Sequence, residues 1–263
     1  MSLRETFADG KKKLVIYVTA GDPSLDATAD VVLAAAEAGA DVIELGMPYS
    51  DPSADGPAIQ AAMTRALAAG ATPRGTLDVV RRVRAAGSRV PIVLFGYYNP
   101  VFVHGAERFC REAAGAGADA LLLVDLPVDE AGEIAPAARA AGLDLIPLVA
   151  PTSTAARMER IAAQGAPFVY YISMTGVTGA ALRGREDLGA RVAAVRAAVR
   201  APVAVGFGIV TPDDVRAVAA AADAVVVGTA VVRAIEAHPR DPAAAVSRLV
   251  ATLAKGLTAP ADA

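Results

Sequence analysis

The sequence predicts an α/β fold, a single (β/α)8 barrel with extra short helices, and three observations favour it. Short β-branched runs alternate with alanine-rich helical stretches along all 263 residues. Eight of these runs are nearly continuous apolar segments, which is typical of parallel strands covered on both faces. No linker divides the chain, and a closed barrel needs roughly 250 residues. We therefore expect one barrel domain over residues 1–263, with a frayed tail over 257–263.

The predicted elements follow one another in regular alternation. The strands are Leu14–Thr19, Val42–Leu45, Ile92–Phe95, Ala120–Val124, Leu145–Val149, Phe168–Ile172, Val203–Val205 and Ala224–Val227. The helices between and after them are Ser24–Ala38, Thr76–Ala86, Ala106–Ala114, Glu130–Ala141, Thr154–Ala163, Asp187–Val199, Pro212–Ala221 and Ala243–Lys255. Terminal signals support several helices: Ser24 is a good N-cap residue, and Gly142 and Gly165 are typical of helix ends.

A weak internal repeat supports a chain of strand–helix units. Ala38–Asp41, Ala116–Asp119 and Ala221–Asp223 each precede a predicted strand and combine a helix end with a tight turn. An open, doubly wound sheet would show the same alternation. Eight strands in 263 residues without a large insertion favour the closed barrel, in which active sites lie at the C-terminal ends of the strands.

Composition and charge exclude several classes of protein. Hydrophobic residues make up 54% of the chain, too many for disorder, yet no apolar run approaches the ~20 residues of a membrane span. The net charge of −3 with dispersed basic residues does not indicate nucleic-acid binding. The chain has one cysteine, Cys110, and two histidines, His104 and His238, so we expect neither a disulfide nor a metal site. The N-terminal residues lack the apolar segment of a secretory signal, so we expect a cytoplasmic protein.

Glu44 is the most unusual strand residue, because it interrupts the apolar run Val42–Leu45 near its end. Strand alternation places Val42 and Glu44 on one face, which in a barrel is the interior. A carboxylate there is costly unless it is used or paired, so we expect either a catalytic group or a glutamate satisfied by a neighbouring hydroxyl. Asp51 and Asp55 follow in the next loop, where they could also form simple Asx turns.

Glycines follow three consecutive predicted strands. Gly176 and Gly179 come after the sixth strand, Gly206 and Gly208 after the seventh, and Gly228 after the eighth. Barrels often bind phosphate with the loops after strands seven and eight and the start of a short extra helix, because backbone N–H groups at a helix start attract anions. Residues 230–236 look helical, and no Lys or Arg lies at 206–208 or 228–232. The glycines could alternatively serve only to turn the chain.

The stretch Glu44–Pro57, read as ELGMPYSDPSADGP, resembles the signature of the tryptophan synthase α-subunit family. Thr19–Pro23, Ser173–Gly179 and Gly206–Ile209 resemble further motifs of that family, and the likeness extends in order over residues 7–254. The resemblance implies a TIM barrel that cleaves indole-3-glycerol phosphate to indole and glyceraldehyde 3-phosphate, a lyase of tryptophan biosynthesis. It also implies a β-subunit partner in an α2β2 assembly, to which indole is passed, and no cofactor or metal.

The resemblance also implies roles for individual residues. The catalytic positions match Glu44, Asp55 and Tyr170. The substrate phosphate is held through backbone N–H groups at positions that match Gly179, Gly208, Gly228 and Thr229. The indole pocket matches Tyr17, Phe95, Leu122 and Phe207. Thr178 matches a threonine of a mobile loop that contacts the aspartate when the site closes. The surface facing the β-subunit matches Pro48, Asp51, Asn99 and Pro127.

Three residues depart from the family pattern. Met174 stands where arginine is familiar, which puts in doubt how the loop over residues 175–185 is anchored when it closes. Thr229 replaces a familiar serine but keeps the N–H and a hydroxyl, so phosphate binding should persist. Tyr17 stands where phenylalanine is common.

These residue types suit a retro-aldol cleavage. One carboxyl group, Glu44, can protonate indole C3 and then remove the proton of the adjacent hydroxyl. An apolar lumen and a nearby charged Asp55 should both disfavour the ionised form of Glu44. Asp55, in a more polar loop, should stay charged and stabilise positive charge at the ring nitrogen.

Two other functions remain open from the residues. Other phosphate-binding barrels, such as an indole-3-glycerol phosphate synthase or a sugar-phosphate isomerase, share the fold and the anion site. An inactive subunit that only activates a partner is the second alternative, although the presence of both Glu44 and Asp55 counts against it. The motif loops contain no lysine, which argues against a Schiff-base aldolase.

Overall fold

The computed structural model describes residues 2–172, 187–206 and 208–258. Nine strands form one sheet in the order β5-β4-β3-β2-β1-β9-β8-β7-β6, and all neighbours are parallel. The strands are β1 (Lys13–Thr19), β2 (Val42–Gly46), β3 (Ile92–Gly96), β4 (Ala120–Leu123), β5 (Asp144–Leu145), β6 (Leu148–Val149), β7 (Val169–Tyr171), β8 (Val203–Val205) and β9 (Ala224–Val227). The pairing of β1 with β9 joins the first strand to the last, as a closed barrel requires.

The predicted fifth strand, Leu145–Val149, is interrupted at Pro147. Its first part, β5, pairs with β4, and its second part, β6, pairs with β7. The Ile146 N–H donates to the Leu121 carbonyl at 2.9 Å, and the Pro147 carbonyl accepts from the Tyr170 N–H at 3.0 Å. Proline has no N–H to continue a regular ladder. The two ends of the sheet are therefore one broken strand, and the eight-stranded barrel prediction is confirmed.

Helices cover the outside of the barrel and one of its ends. They are α1 (Leu3–Ala8), α2 (Leu25–Glu37), α3 (Pro57–Ala68), α4 (Pro73–Ala85), α5 (Tyr98–His104), α6 (Ala106–Ala116), α7 (Ala135–Ala141), α8 (Ala155–Gln164), α9 (Leu188–Val199), α10 (Pro212–Ala219), α11 (Thr229–Ala237) and α12 (Pro242–Thr258). No described helix is long and apolar enough to cross a membrane.

The predicted helices are present with small changes in their ends, and three helices were missed. These are α1, α3 and α5; α3 begins with Pro57 at N1, a position that proline favours but that reads as a turn after Gly56. The predicted helix Glu130–Ala141 is divided into a 3₁₀ turn and α7. Helix α12 continues to Thr258, so residues 257 and 258 are helical and do not belong to the expected tail.

The aspartates of the internal repeat fasten the N-terminal end of the barrel. The Asp119 carboxylate accepts from the Ile92 N–H at 2.8 Å, while the Asp119 N–H donates to the Ile92 carbonyl at 2.9 Å. Arg84 donates to the same carboxylate at 2.9 Å. The same reciprocal pair of hydrogen bonds joins Asp41 to Leu14 and Asp223 to Val203. At each repeat, an aspartate therefore joins the start of one strand to the start of the next by hydrogen bonds.

The barrel interior is a second apolar layer, separate from the layer between strands and helices. It contains Val15, Tyr17, Val42, Val93, Phe95, Leu122 and Val226 among its buried members. Leu3 of α1 also belongs to this interior layer, and Phe7 stacks on Phe168 with ring centroids 4.8 Å apart. Helix α1 therefore closes the N-terminal end, and the open end is the one where a site can form.

Replacing Asp119 with alanine should lower the free energy of unfolding by roughly 1–3 kcal/mol, because the Ile92 N–H loses its acceptor in a part-buried position. Urea denaturation of the full chain measures the change. As a control, Asp78→Ala removes the partner of Arg81 on the exposed surface of α4 and should cost less than about 1 kcal/mol. Equal losses in the two variants would contradict the fastening role.

Candidate active site

A cavity of about 420 Å³ opens at the C-terminal ends of the strands. Nine of the residues singled out from the sequence line it: Tyr17, Glu44, Asp55, Phe95, Tyr170, Gly206, Gly208, Gly228 and Thr229. Ile59 of α3 also lines it. The structure therefore brings together residues that are far apart in the sequence, at the end of the barrel where the fold class predicts a site.

Glu44 points into the lumen, as the strand alternation predicted. It lies on β2 between Tyr17 of β1 and Val93 of β3 in the strand register, and it is 1% exposed. Its Oε1 atom has no hydrogen-bond partner among the described residues, so no hydroxyl from that part of the chain satisfies that oxygen. Burial raises the pKa of Glu44 from 4.5 to about 8. Burial alone is sufficient to account for this rise, without the charge of Asp55 that the sequence analysis also invoked.

Asp55 is held by a residue that the sequence analysis missed. The Tyr97 hydroxyl donates to Asp55 Oδ2 at 2.7 Å and accepts from the Ala54 N–H at 2.9 Å. Burial raises the pKa of Asp55 to about 6, and the hydrogen bond from Tyr97 acts in the opposite direction. At neutral pH Asp55 is therefore mostly ionised while Glu44 is mostly protonated. The position of Tyr97 directly after β3 was the available signal, since barrel sites draw on strand ends.

Aromatic side chains form the apolar wall of the cavity. Tyr17 and Phe95 meet edge to face with ring centroids 5.2 Å apart, a favourable arrangement. The Tyr17 hydroxyl accepts from Thr19 Oγ1 at 3.3 Å. Glycine is required at position 46, because a Cβ there would lie 2.3 Å from that hydroxyl. Burial raises the pKa of Tyr17 well above 10, so its hydroxyl stays protonated.

Tyr170 also lines the cavity, and a glycine leaves room for its hydroxyl as Gly46 does for that of Tyr17. A Cβ at Gly206 would lie 2.4 Å from the Tyr170 hydroxyl, so glycine makes room for the phenol. Burial is the main cause that raises the pKa of Tyr170, and the charges of Glu44 and Asp55 add to it. Tyr170 is therefore a neutral hydrogen-bond donor close to both carboxyl groups.

The other end of the cavity is lined by backbone. Gly208 has a φ of +61°, which favours glycine, and Gly228 is the N-cap of α11. The first N–H groups of a helix lack partners within the helix and attract anions. No lysine or arginine is among the described residues that line the cavity. This end can therefore bind an anion through N–H groups, as the glycine pattern predicted.

Four of the residues predicted to form the active site are not among those that line the cavity in the described part of the chain. Leu122 belongs to the interior layer beneath the cavity and does not line it. Thr178, Gly179 and Phe207 lie outside the described residues, as does Met174.

The predicted partner-facing residues are not all at the surface. Asp51, Asn99 and Pro127 are exposed. Pro48 is buried, because the chain beyond β2 still follows β3, with the Met47 N–H donating to the Phe95 carbonyl at 2.8 Å. The prediction that Pro48 lies on the partner-facing surface is therefore wrong, because Pro48 is buried.

The fold and the cavity define a class of protein. A closed barrel with a protonated carboxyl group at one end of its cavity and a helix start lined by glycine at the other is a phosphate-binding barrel enzyme of the acid–base type. The family model described as "Tryptophan synthase alpha chain" matches residues 3–259. The chain therefore belongs to the tryptophan synthase alpha chain family, whose reaction is the cleavage of indole-3-glycerol phosphate by a lyase of tryptophan biosynthesis.

Individual relatives agree with this membership. The chain is 52% identical over 256 residues to the tryptophan synthase alpha chain of Geobacter sulfurreducens, with 96% of each chain covered. A crystal structure of tryptophan synthase subunit alpha from Legionella pneumophila has a TM-score of 0.91 at 37% identity, covering 98% of this chain and 99% of that one. A structure of tryptophan synthase from M. tuberculosis has a TM-score of 0.87 at 33% identity, covering 98% of each chain. These likenesses remove the other phosphate-binding barrels from consideration.

Replacing Tyr97 with phenylalanine should raise the pKa of Asp55, because the hydroxyl that donates to the ionised form is lost. The acidic limb of the pH profile of kcat/KM should then move to higher pH by about 1 pH unit. Indole release measured between pH 5 and 9 tests this. Tyr49→Phe is the control, since Tyr49 packs on Tyr97 but does not contact Asp55. An acidic limb that stays in place in Tyr97→Phe would separate Tyr97 from the ionisation of Asp55.

Proposed function

We propose that Glu44 is the acid and base that cleaves indole-3-glycerol phosphate in this protein. The observation that carries the proposal is the buried Glu44 carboxyl group, whose Oε1 lacks a partner among the described residues, in the same cavity as Gly208 and Gly228. Its pKa of about 8 keeps the proton available at neutral pH. The cavity thus holds a proton donor and an anion site at the two ends that the substrate would span.

The reaction needs two proton transfers by one group. Glu44 donates its proton to indole C3, which gives an indolenine cation. The resulting carboxylate then takes the proton of the adjacent hydroxyl of the glycerol chain. The electrons of that O–H bond form the aldehyde C=O, and the electrons of the cleaved C–C bond return to the ring as indole leaves. The proton balance is closed, because Glu44 ends as the acid it was at the start.

Asp55 and Tyr170 complete the reacting end in this proposal. Ionised Asp55 accepts the indole N–H and stabilises the positive charge that develops there. Tyr97 fixes its orientation through the bond to Oδ2. Tyr170 remains a neutral donor, since both carboxyl groups disfavour its ionised form. The two carboxyl groups therefore divide the labour through their different surroundings.

The remote end supplies binding energy that orients the reacting end. We propose that backbone N–H groups at Gly208, Gly228 and Thr229 hold the substrate phosphate, with Gly179 as a fourth position. Thr178 is proposed to contact Asp55 when its loop closes. Met174 has no guanidinium group that could anchor the loop. The contact between Thr178 and Asp55 would therefore be the main polar contact that holds the loop closed.

The indole ring is proposed to lie against the aromatic wall. Tyr17 and Phe95 line the cavity and supply a flat apolar surface, while Leu122 supports it from the interior layer. Phe207 is proposed as a further wall of the pocket.

We propose that a β-subunit binds the surface beside α5, in an α2β2 assembly, and receives the indole. Asn99 is exposed at this surface, and Phe102 and Val103 on the same short helix are 63% and 77% exposed. Neighbouring exposed apolar side chains of this size often mark an interface. Asp51 and Pro127 are proposed to extend it. Since the product feeds amino-acid synthesis, we expect the reaction in the cytoplasm.

Glu44→Gln should lose at least about 10³-fold in kcat, because glutamine can neither donate nor accept the proton. Binding of glycerol 3-phosphate should stay within twofold, since the phosphate end is unchanged. Indole release and isothermal calorimetry measure the two quantities. Asp55→Asn is the matched comparison, with a large loss that leaves binding of glycerol 3-phosphate intact. A Glu44→Gln variant with wild-type turnover would overturn the proposed mechanism and would reopen the alternative of an inactive subunit.

Phe102→Asp should weaken binding of a tryptophan synthase β-subunit by at least about tenfold, because a charge replaces an apolar contact. Binding is measured by calorimetry, and turnover of indole-3-glycerol phosphate is compared with and without the β-subunit. The variant alone should cleave at the wild-type rate. Ala197→Asp, an equally charged change on the exposed face of α9, should bind normally. Wild-type affinity of Phe102→Asp would remove α5 from the interface.

A further inference from the structure

Arg65 joins three elements around the mouth of the cavity. It lies on α3, and its Nε and Nη2 donate to the two oxygens of Asp22 at 2.9 and 2.8 Å. Its Nη1 donates to Glu236 Oε1 of α11 at 2.8 Å. A planar guanidinium that forks in this way fixes direction as well as distance. The side chain therefore links the loop after β1 with two helices.

Both helices begin at the site. Helix α3 starts at Pro57, directly after the loop that carries Asp55, and its first turn places Ile59 on the cavity wall. Helix α11 starts at Thr229, at the anion-binding end. The two starts lie close together, because a Cβ added at Gly228 would come within 3.6 Å of Ile59 Cδ1. A change in the angle between these helices would alter the spacing of the two ends of the site.

The loop after β1 gives Arg65 a rigid anchor. Asp22 is 1% exposed, and a buried carboxylate needs a charged partner. Gly21 has a φ of +92°, and a Cβ there would lie 2.5 Å from Ala71 Cβ beyond the end of α3. Its N–H donates to Thr28 Oγ1 at 2.9 Å. The motif that contains Gly21 and Asp22 therefore packs tightly against α3 and holds Arg65 in place.

We propose that Arg65 is a positioning residue that couples the reacting end of the site to the phosphate end. Asp22 fixes the guanidinium, and the guanidinium holds α11 through Glu236, so that Asp55 and the start of α11 keep the spacing that one substrate molecule requires. Arg65 does not line the cavity and is not a catalytic residue. The inference rests on the proposed function, because it assumes a ligand that spans both ends.

Glu236 allows the coupling to be tested without disturbing the fold. Its side chain is 54% exposed, and an ion pair at such a position adds little to stability. Replacing Arg65 would instead leave the buried carboxylate of Asp22 without its charged partner. A lower activity could then come from partial unfolding and not from a changed spacing within the site. The substitution that tests the coupling is therefore made at Glu236 on α11, and Arg65 and Asp22 are left unchanged.

The experiment compares Glu236→Ala with wild type for two ligands. Glycerol 3-phosphate occupies only the phosphate end, and indole-3-propyl phosphate, which lacks the hydroxyl needed for cleavage, spans both ends. Glu236→Ala should bind glycerol 3-phosphate within twofold of wild type but should bind the spanning ligand about fivefold more weakly and lose about fivefold in kcat/KM, the most that an exposed ion pair supplies. Glu236→Gln keeps an acceptor for Arg65 and should restore both values to within about twofold of wild type.

The control is Asp26→Ala, which removes another pair between helices, that of Arg82 on α4 with Asp26 on α2. It should leave both affinities unchanged. If Glu236→Ala binds the spanning ligand as wild type does, or loses affinity equally for both ligands, the coupling is overturned while the proposed function stands. If the wild-type chain neither binds glycerol 3-phosphate nor releases indole, the proposed function itself fails, and the coupling fails with it.

Discussion

The burial of one carboxyl group in an apolar barrel is the constraint on which the site depends. Glu44 faces inward because its strand alternates between a buried interior and a buried exterior, and the register with β1 and β3 gives it no way to turn outward. Oε1 finds no partner among the described residues, so the neutral form is favoured and the pKa rises to about 8. Glu44 is therefore mostly protonated at neutral pH in the barrel, whereas the same side chain would be ionised in water.

The two ends of the barrel serve different purposes. At the N-terminal end, aspartates such as Asp119 satisfy strand N–H groups, and Leu3 of α1 fills the interior. At the C-terminal end, glycines replace side chains at positions 46, 206 and 228, which leaves room for two phenols and for an anion. Apolar and charged groups that stabilise the fold are thereby kept away from the groups that carry the chemistry.

The sequence predicted what depends on local pattern and missed what depends on distant contacts. Apolar runs indicated every strand, and the inward direction of Glu44 followed from alternation alone; only Pro147, which lacks an N–H, divided a strand. Helix α3 was hidden by a proline and a glycine that read as a turn. Tyr97 and Arg65 contact carboxylates more than forty positions away in the chain. No periodicity marks such pairs, because the topology of the barrel brings them together.

The different pKa values of the two carboxyl groups, on which the proposed mechanism depends, follow from their different surroundings. In water, aspartate and glutamate ionise at nearly the same pH, so neither would be fixed as acid or as anion. Burial raises the pKa of both, but Tyr97 donates to Asp55 and opposes its rise, whereas Glu44 Oε1 receives no such bond among the described residues. The resulting values of about 6 and about 8 enclose neutral pH. The deeper burial of Glu44 and the Tyr97 hydroxyl beside Asp55 therefore act together to separate the pKa values of two similar groups, as the proposed mechanism requires.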